Sequence, residues 1–159
     1  MPVLGLVLLV ALSGCSTVTS WFGKGKQPSG HSVSVFDANV GDCFLAPTNI
    51  TTELSSLTAT GCATAHQLEM FAKPTFLSPG GATAPDSFPG DAALKSFADG
   101  ACAAAFTAYV GVDYRDSSYF FTYLNPSARS WQQDDDRTTL CFATTTGAPI
   151  TGSVKGRKQ

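Results

Sequence analysis

The sequence predicts an α+β fold, one amphipathic helix packed on a small antiparallel sheet and held by two disulfides. Three observations carry that expectation. First, a single apolar stripe of 3.6-residue period runs through Leu94, Phe97, Ala101, Cys102, Ala105, Phe106 and Tyr109. Second, short β-branched and aromatic runs stand on both sides of this helix instead of alternating with further helices, the order of an antiparallel sheet with a helix laid on it. Third, Cys43, Cys62, Cys102 and Cys141 remain once Cys15 is set aside, an even set suited to bridges. The 159 residues, 43% of them hydrophobic, suit one domain with a core and argue against general disorder. A formal net charge of −2 argues against a basic nucleic-acid binder.

The N-terminus comes first in the element order. Residues 3–12 are apolar apart from Gly5, a run too short for a bilayer span of about 20 residues but fitting a signal-peptide h-region. Leu12-Ser13-Gly14-Cys15 follows and resembles the lipobox of bacterial lipoproteins, although Met1-Pro2 supplies no basic residue ahead of the run. The resemblance implies cleavage before Cys15 and a diacylglyceryl and palmitate-bearing Cys15 at the mature N-terminus. Residues 1–14 are therefore expected to be a lipoprotein signal peptide. Residues 15–34, rich in Ser, Gly, Thr and Lys, read as a flexible lipid-anchored tether. His31 falls in this tether.

Residues 35–154 form the expected domain. A first strand is expected at 33–36 or 40–44, with a bend at Gly41-Asp42, and residues 47–60 are only weakly patterned. A second strand runs within 66–76, where Pro74 ends it or confines it to an edge. Three prolines and Gly80-Gly81 make residues 78–89 a surface loop. The helix starts after Pro89-Gly90 with Asp91 as N-cap and stops at Gly111. Residues 119–124, 138–146 and 150–154 are the remaining strand candidates. Residues 155–159 form a basic tail with Lys155, Arg157 and Lys158. Between His31 and Val154 five basic residues face twelve acidic ones, about −7, so the globular part is acidic and its ends are basic. Lys24 and Lys26, beside the anchor, suit anionic headgroups.

Order alone leaves three pairings of the four cysteines open. Cys102 lies on the apolar face of the helix and Cys141 in a central strand candidate, which favours Cys102–Cys141 and leaves Cys43–Cys62 to close the N-terminal loop. No CxxC pair is present, so the spacing gives no zinc signature and no metal or other cofactor is expected.

Several spaced motifs carry a family resemblance. Val40-Gly41-Asp42-Cys43 is followed by Cys62, His66 and Glu69, then by Phe88-Pro89-Gly90, Cys102 with Phe106, and Tyr109-Val110-Gly111. Pro126, Trp131, Asp136-Arg137, Cys141 and Gly152-Ser153-Val154-Lys155-Gly156 complete the series. Their order resembles the septum formation domain of actinobacterial envelope proteins, except that Asp134-Asp135-Asp136 stands where that pattern has Gly-Asp. The resemblance implies an exported, membrane-attached domain associated with septum formation and carries no transferable enzyme activity.

Candidate chemistry is sparse. His66 and Glu69 are a possible polar site, but in a strand residues three apart point to opposite faces. Asp134, Asp135 and Asp136 lack the alternating spacing of a calcium loop and read as a solvated turn in which Asp136 or Arg137 makes an ion pair. Tyr114, Tyr119, Trp131, Arg129 and Arg137 are the candidate binding surface, since aromatic rings beside arginines suit a protein or a cell-wall sugar. The resulting expectation is a non-enzymatic, lipid-anchored module on the extracytoplasmic side of the cell membrane. Its partners are the membrane, through the lipid, and an envelope or division protein or a cell-wall component, with no nucleic acid. The alternatives are a wall glycan or ligand binder using Trp131 and a wall-acting hydrolase using His66 or the Asp run.

Overall fold

The computed structural model describes residues 29–48, 53–78, 80–81 and 83–159. Expectations that fall on residues 1–28, including cleavage before Cys15 and its lipidation, lie outside the described residues. In chain order the strands are β1 (His31–Ser34), β2 (Cys43–Leu45), β3 (Ser56–Thr60), β4 (Leu68–Ala72), β5 (Phe120–Leu124) and β6 (Leu140–Thr144). They form one antiparallel sheet in the order β1-β3-β2-β4-β6-β5. Helix α1 (Asp91–Val110) lies between β4 and β5 in sequence, and a short helix α2 (Ala128–Gln133) lies between β5 and β6. This is the expected α+β architecture of an antiparallel sheet, helical elements and two disulfides.

The alternation of side chains along a strand divides the core into two. Phe71, Cys141 and Ala143 face α1 and pack with Cys102, Phe106 and Val110. Their chain neighbours Met70, Phe142 and Leu140 face the other way and pack with Phe44, Leu57 and Ala59. Edge-on ring contacts join each layer: Phe71 to Phe106 at 5.5 Å on the helix side and Phe44 to Phe142 at 5.8 Å on the other. β6 is buried on both faces because α1 covers one side and the β1–β3 region supplies the other. A third cluster, Phe76, Leu94 and Trp131, closes the end where α1 begins.

Both bridges form in the favoured pairing, Cys43–Cys62 and Cys102–Cys141. Cys102–Cys141 fastens α1 to the sheet across a sequence separation of 39, and Cys43–Cys62 closes a loop of 19. Loop-closure entropy alone gives these about 4 and about 3 kcal/mol respectively.

Several local expectations are corrected. His31–Ser34, assigned to the tether, pairs with Ser56–Ala59 as β1–β3, so the folded part begins earlier than residue 35. The Thr/Ser-rich stretch supplies β3, where Leu57 and Ala59 are buried and the intervening Thr58 is exposed, a period-2 pattern masked by the small size of alanine. Gly90, not Asp91, is the N-cap of α1: its φ of 91° is open to glycine, and Asp91 becomes the first helical residue. Gly111 ends the helix in the left-handed conformation, donating its N–H to the Thr107 carbonyl, as expected of a C-terminal glycine. Residues 150–154 make no strand: Ile150 forms an isolated bridge with His66, and the chain then turns to dock Val154 in the core. The basic tail is docked as well, since the N–H groups of Gly156 and Lys158 donate to the carbonyls of Tyr109 and Val110 at the end of α1. Among the described residues no helix is long and apolar enough to cross a membrane.

Replacing Cys102 and Cys141 together by alanine is expected to lower unfolding free energy by about 4 kcal/mol, read from urea melts at neutral pH. A midpoint equal to that of the parent would show that the helix is held by packing alone.

Candidate functional site

Two places combine polar chemistry with a defined geometry. The first is a sealed cluster around Glu69, where the sheet, the end of α1 and the C-terminal segment meet. Glu69 is fully buried. Its Oε1 accepts from the Tyr109 hydroxyl at 2.8 Å and the Ser153 hydroxyl at 2.6 Å, and its Oε2 accepts from the Val154 N–H at 2.7 Å. Three donors from two distant segments are what a buried carboxylate needs in place of water. Burial, reinforced by the hydrogen bond to Glu69, pushes the Tyr109 hydroxyl up to about 12.

His66 joins the same cluster. The expectation that His66 and Glu69 point to opposite faces is overturned: both are fully buried, with Nε2 and Oε2 4.0 Å apart. The reason is that β4 begins only at Leu68, after a bend at Gln67, so strand alternation does not extend back to His66. His66 Nδ1 lies 2.8 Å from the Thr64 carbonyl and must donate to it, and the buried Nε2 has no hydrogen-bond partner. Cys43, the register partner of Glu69 on β2, completes the group.

The second place is an open cleft of about 590 Å³ between the β1–β3 side of the sheet and α2. Phe36, Phe88 and Leu124 give it apolar walls, and Glu53, Lys73 and Arg129 give it charge. Phe36 is 49% exposed, a large apolar side chain presented to solvent at the lip. Arg129 Nε donates to Glu53 Oε2 at 3.0 Å, and this bond, with one from Ser127, holds the Glu53 carboxyl below the usual range. Lys73 Nζ donates to the carbonyls of Phe36 and Ala38, fixing the chain that carries Phe36. Ser127 starts α2 through a reciprocal capping pair with Ser130, and Ser130 donates to Asp136 at 3.1 Å.

Of the five residues read as a binding surface, two are buried. Trp131 is 1% and Tyr119 6% exposed. Trp131 Nε1 donates to the carbonyls of Pro85 and Asp86, pinning the loop before α1. The Arg137 guanidinium lies 3.9 Å over the Trp131 ring and donates to the Trp131 carbonyl, so the pair is an internal stack. Tyr119 accepts from Arg157 of the docked tail, and half-buried Tyr114 packs edge-on against Phe121. Arg129 alone stands at the cleft. The acidic turn does hold an ion pair, Arg137 to Asp135 at 3.1 Å. No sequence motif marks Phe36, Lys73 or Glu53, and only the folded sheet and α2 bring them together at the cleft.

Residues 40–159 match the septum formation family, and the chain belongs to that family. Membership links the protein to septum formation and the cell envelope. No curated protein and no solved structure matches the chain.

Two outcomes are expected of the sealed cluster. Glu69→Ala, which strands three donors, should cost about 3 kcal/mol or more in urea unfolding. The free phenol titrates near 10, below the folded value of about 12. Above pH 10 the unfolded chain therefore sheds the proton while the fold retains it, and stability falls as pH rises from 10 to 12. Tyr109→Phe should lose that component of the alkaline slope; identical slopes in the two proteins would rule it out.

Proposed function

We propose that this protein is an exported, lipid-anchored module of the cell envelope that binds an envelope or division partner through the cleft and performs no catalysis. The observation that carries the binding reading is the contrast between the two polar places. The cleft is open and lined by both apolar and charged groups, the mixture suited to a protein segment or a wall component. His66, the histidine a hydrolase would need, is sealed in the core with one ring nitrogen committed to a backbone carbonyl. Two disulfides support assembly outside a reducing compartment. The Leu12-Ser13-Gly14-Cys15 motif supports the lipid at Cys15, and family membership supports a role at the septum. In this reading Arg129 and Phe36 meet the partner, while Trp131 and Arg137 hold α2 in place.

The test combines anchoring with localisation in dividing cells. Cys15→Ala is expected to move the protein from the membrane fraction to the soluble extracytoplasmic fraction. A fluorescent fusion of the parent should concentrate at the septum, and Phe36→Ser with Arg129→Ala should disperse it without changing the melting temperature by more than a few degrees. Uniform peripheral signal from the parent would remove the septal partner. Hydrolysis of isolated wall material, lost in His66→Ala, would remove the non-enzymatic reading.

A further inference from the structure

We propose that Cys43, Cys62, His66 and Glu69 are the ligands of a thiol-gated site for a zinc-class divalent ion, closed while the Cys43–Cys62 disulfide is intact. The inference rests on the sealed cluster and is independent of the cleft. Its geometry is set by the sheet. Cys43 and Glu69 are register partners on adjacent strands β2 and β4, so their side chains leave the same face. The Cys43 sulfur, a His66 ring nitrogen and a Glu69 oxygen all lie within 4.8 Å of one another, and all three residues are buried. Cys62 lies outside this group, bonded to Cys43, and would join it as a fourth ligand only after the bridge opens. Among the described residues this is the one group of three His, Cys, Asp or Glu side chains close enough to share an ion.

The state of His66 is the second, independent observation. Nδ1 donates to the Thr64 carbonyl, and the buried Nε2 has no hydrogen-bond partner. The nearest oxygen is Glu69 Oε2 at 4.0 Å, beyond hydrogen-bonding distance. A fully buried ring nitrogen without a hydrogen-bond partner, facing a carboxyl oxygen across 4.0 Å, leaves a gap in the core that a cation would fill. An imidazole whose other ring nitrogen donates to a backbone carbonyl is also the outer arrangement typical of metal-bound histidine, with tautomer and ring plane set before the ion arrives. Glu69 is oriented in the same way by Tyr109, Ser153 and Val154. Two thiolates, one imidazole and one carboxylate make a four-ligand set of the kind zinc accepts.

The gate is thiol–disulfide exchange with a dithiol. One thiolate of the dithiol attacks the Cys62 sulfur, which belongs to the less buried of the two cysteines. The S–S bond breaks, and Cys43 departs as a thiolate toward His66. The second thiol of the reductant then closes its own disulfide and releases Cys62, so the protein gains two electrons and two thiols while the dithiol is oxidised. Binding of Zn²⁺ displaces the two thiol protons. The helix-to-sheet bridge is a poor competitor for the reductant, because Cys102 and Cys141 are both fully buried.

The experiment uses the full chain, briefly reduced by a dithiol, with the Cys102–Cys141 bridge verified by peptide mass mapping. Zn²⁺ is added, and alkylation of each cysteine is followed over time. The expected result is one ion per chain and slowing of alkylation at both Cys43 and Cys62 by about tenfold or more, with no binding to the oxidised protein. Co²⁺ in place of Zn²⁺ should give thiolate-to-metal charge-transfer absorption. His66→Gln keeps both cysteines and should weaken Zn²⁺ binding by about 100-fold. Unchanged alkylation in the parent overturns the proposal whatever the variant does. Binding to reduced His66→Gln as tight as to the parent overturns it too, because two adjacent thiols would then suffice. Equal binding to the oxidised protein removes the gate.

Discussion

The buried carboxylate of Glu69 is the constraint around which the C-terminal half of the fold is arranged. A buried carboxyl group without water must find hydrogen-bond partners, and β4 offers none on that face. They come instead from the last turn of α1, through Tyr109, and from the C-terminal segment, through Ser153 and the Val154 backbone. Once Val154 is drawn in, the following residues lie against the end of α1, where Gly156 and Lys158 donate to carbonyls the helix cannot satisfy itself. The tail is thus a structural element, and its basic residues serve it: Arg157 reaches the Tyr119 hydroxyl, and the Lys158 chain lies against Gly111.

The two disulfides reinforce different parts of this arrangement. Cys102–Cys141 crosses the core between helix and sheet among Phe71, Phe106 and Val110. It restrains a layer that hydrophobic burial already holds. Cys43–Cys62 stands at the border of the polar cluster, where packing is supplied by groups that want hydrogen bonds or ions. A bridge in that setting controls what its neighbours His66 and Glu69 can bind as well as how the loop is closed. The cleft shares no lining residue with that cluster, so the two places can be altered independently.

α2 shows how a short helix can organise an open site. Six residues are too few to be stable alone. Ser127 and Ser130 cap the N-terminus, Trp131 is driven into the third core cluster, and Arg137 covers the ring. The remaining face presents Arg129 toward Glu53 and the cleft. The internal anchors are what hold the exposed arginine in place.

What the sequence alone determined was whatever local periodicity or residue chemistry encodes. The stripe from Leu94 to Tyr109 specified α1 to its glycine stop, β-branched and aromatic runs specified β5 and β6, and Cys102 and Cys141 on α1 and β6 favoured the pairing that the fold adopts. The ordered series from Val40 to Gly156 carried the family. Tertiary structure decided the rest. β3 became a strand because β1 and β2 flank it, despite side chains too small and polar to signal burial. Trp131 and Tyr119 went inward because aromatic side chains have the same composition signature at a surface and in a core, and only the surrounding elements settle which. His66 and Glu69 came together because a bend at Gln67 breaks the alternation that would have separated them, and because donors 40 and more residues away converge on one carboxylate. Spacing along a chain cannot report a convergence that exists only after the sheet, the helix and the tail have closed around it.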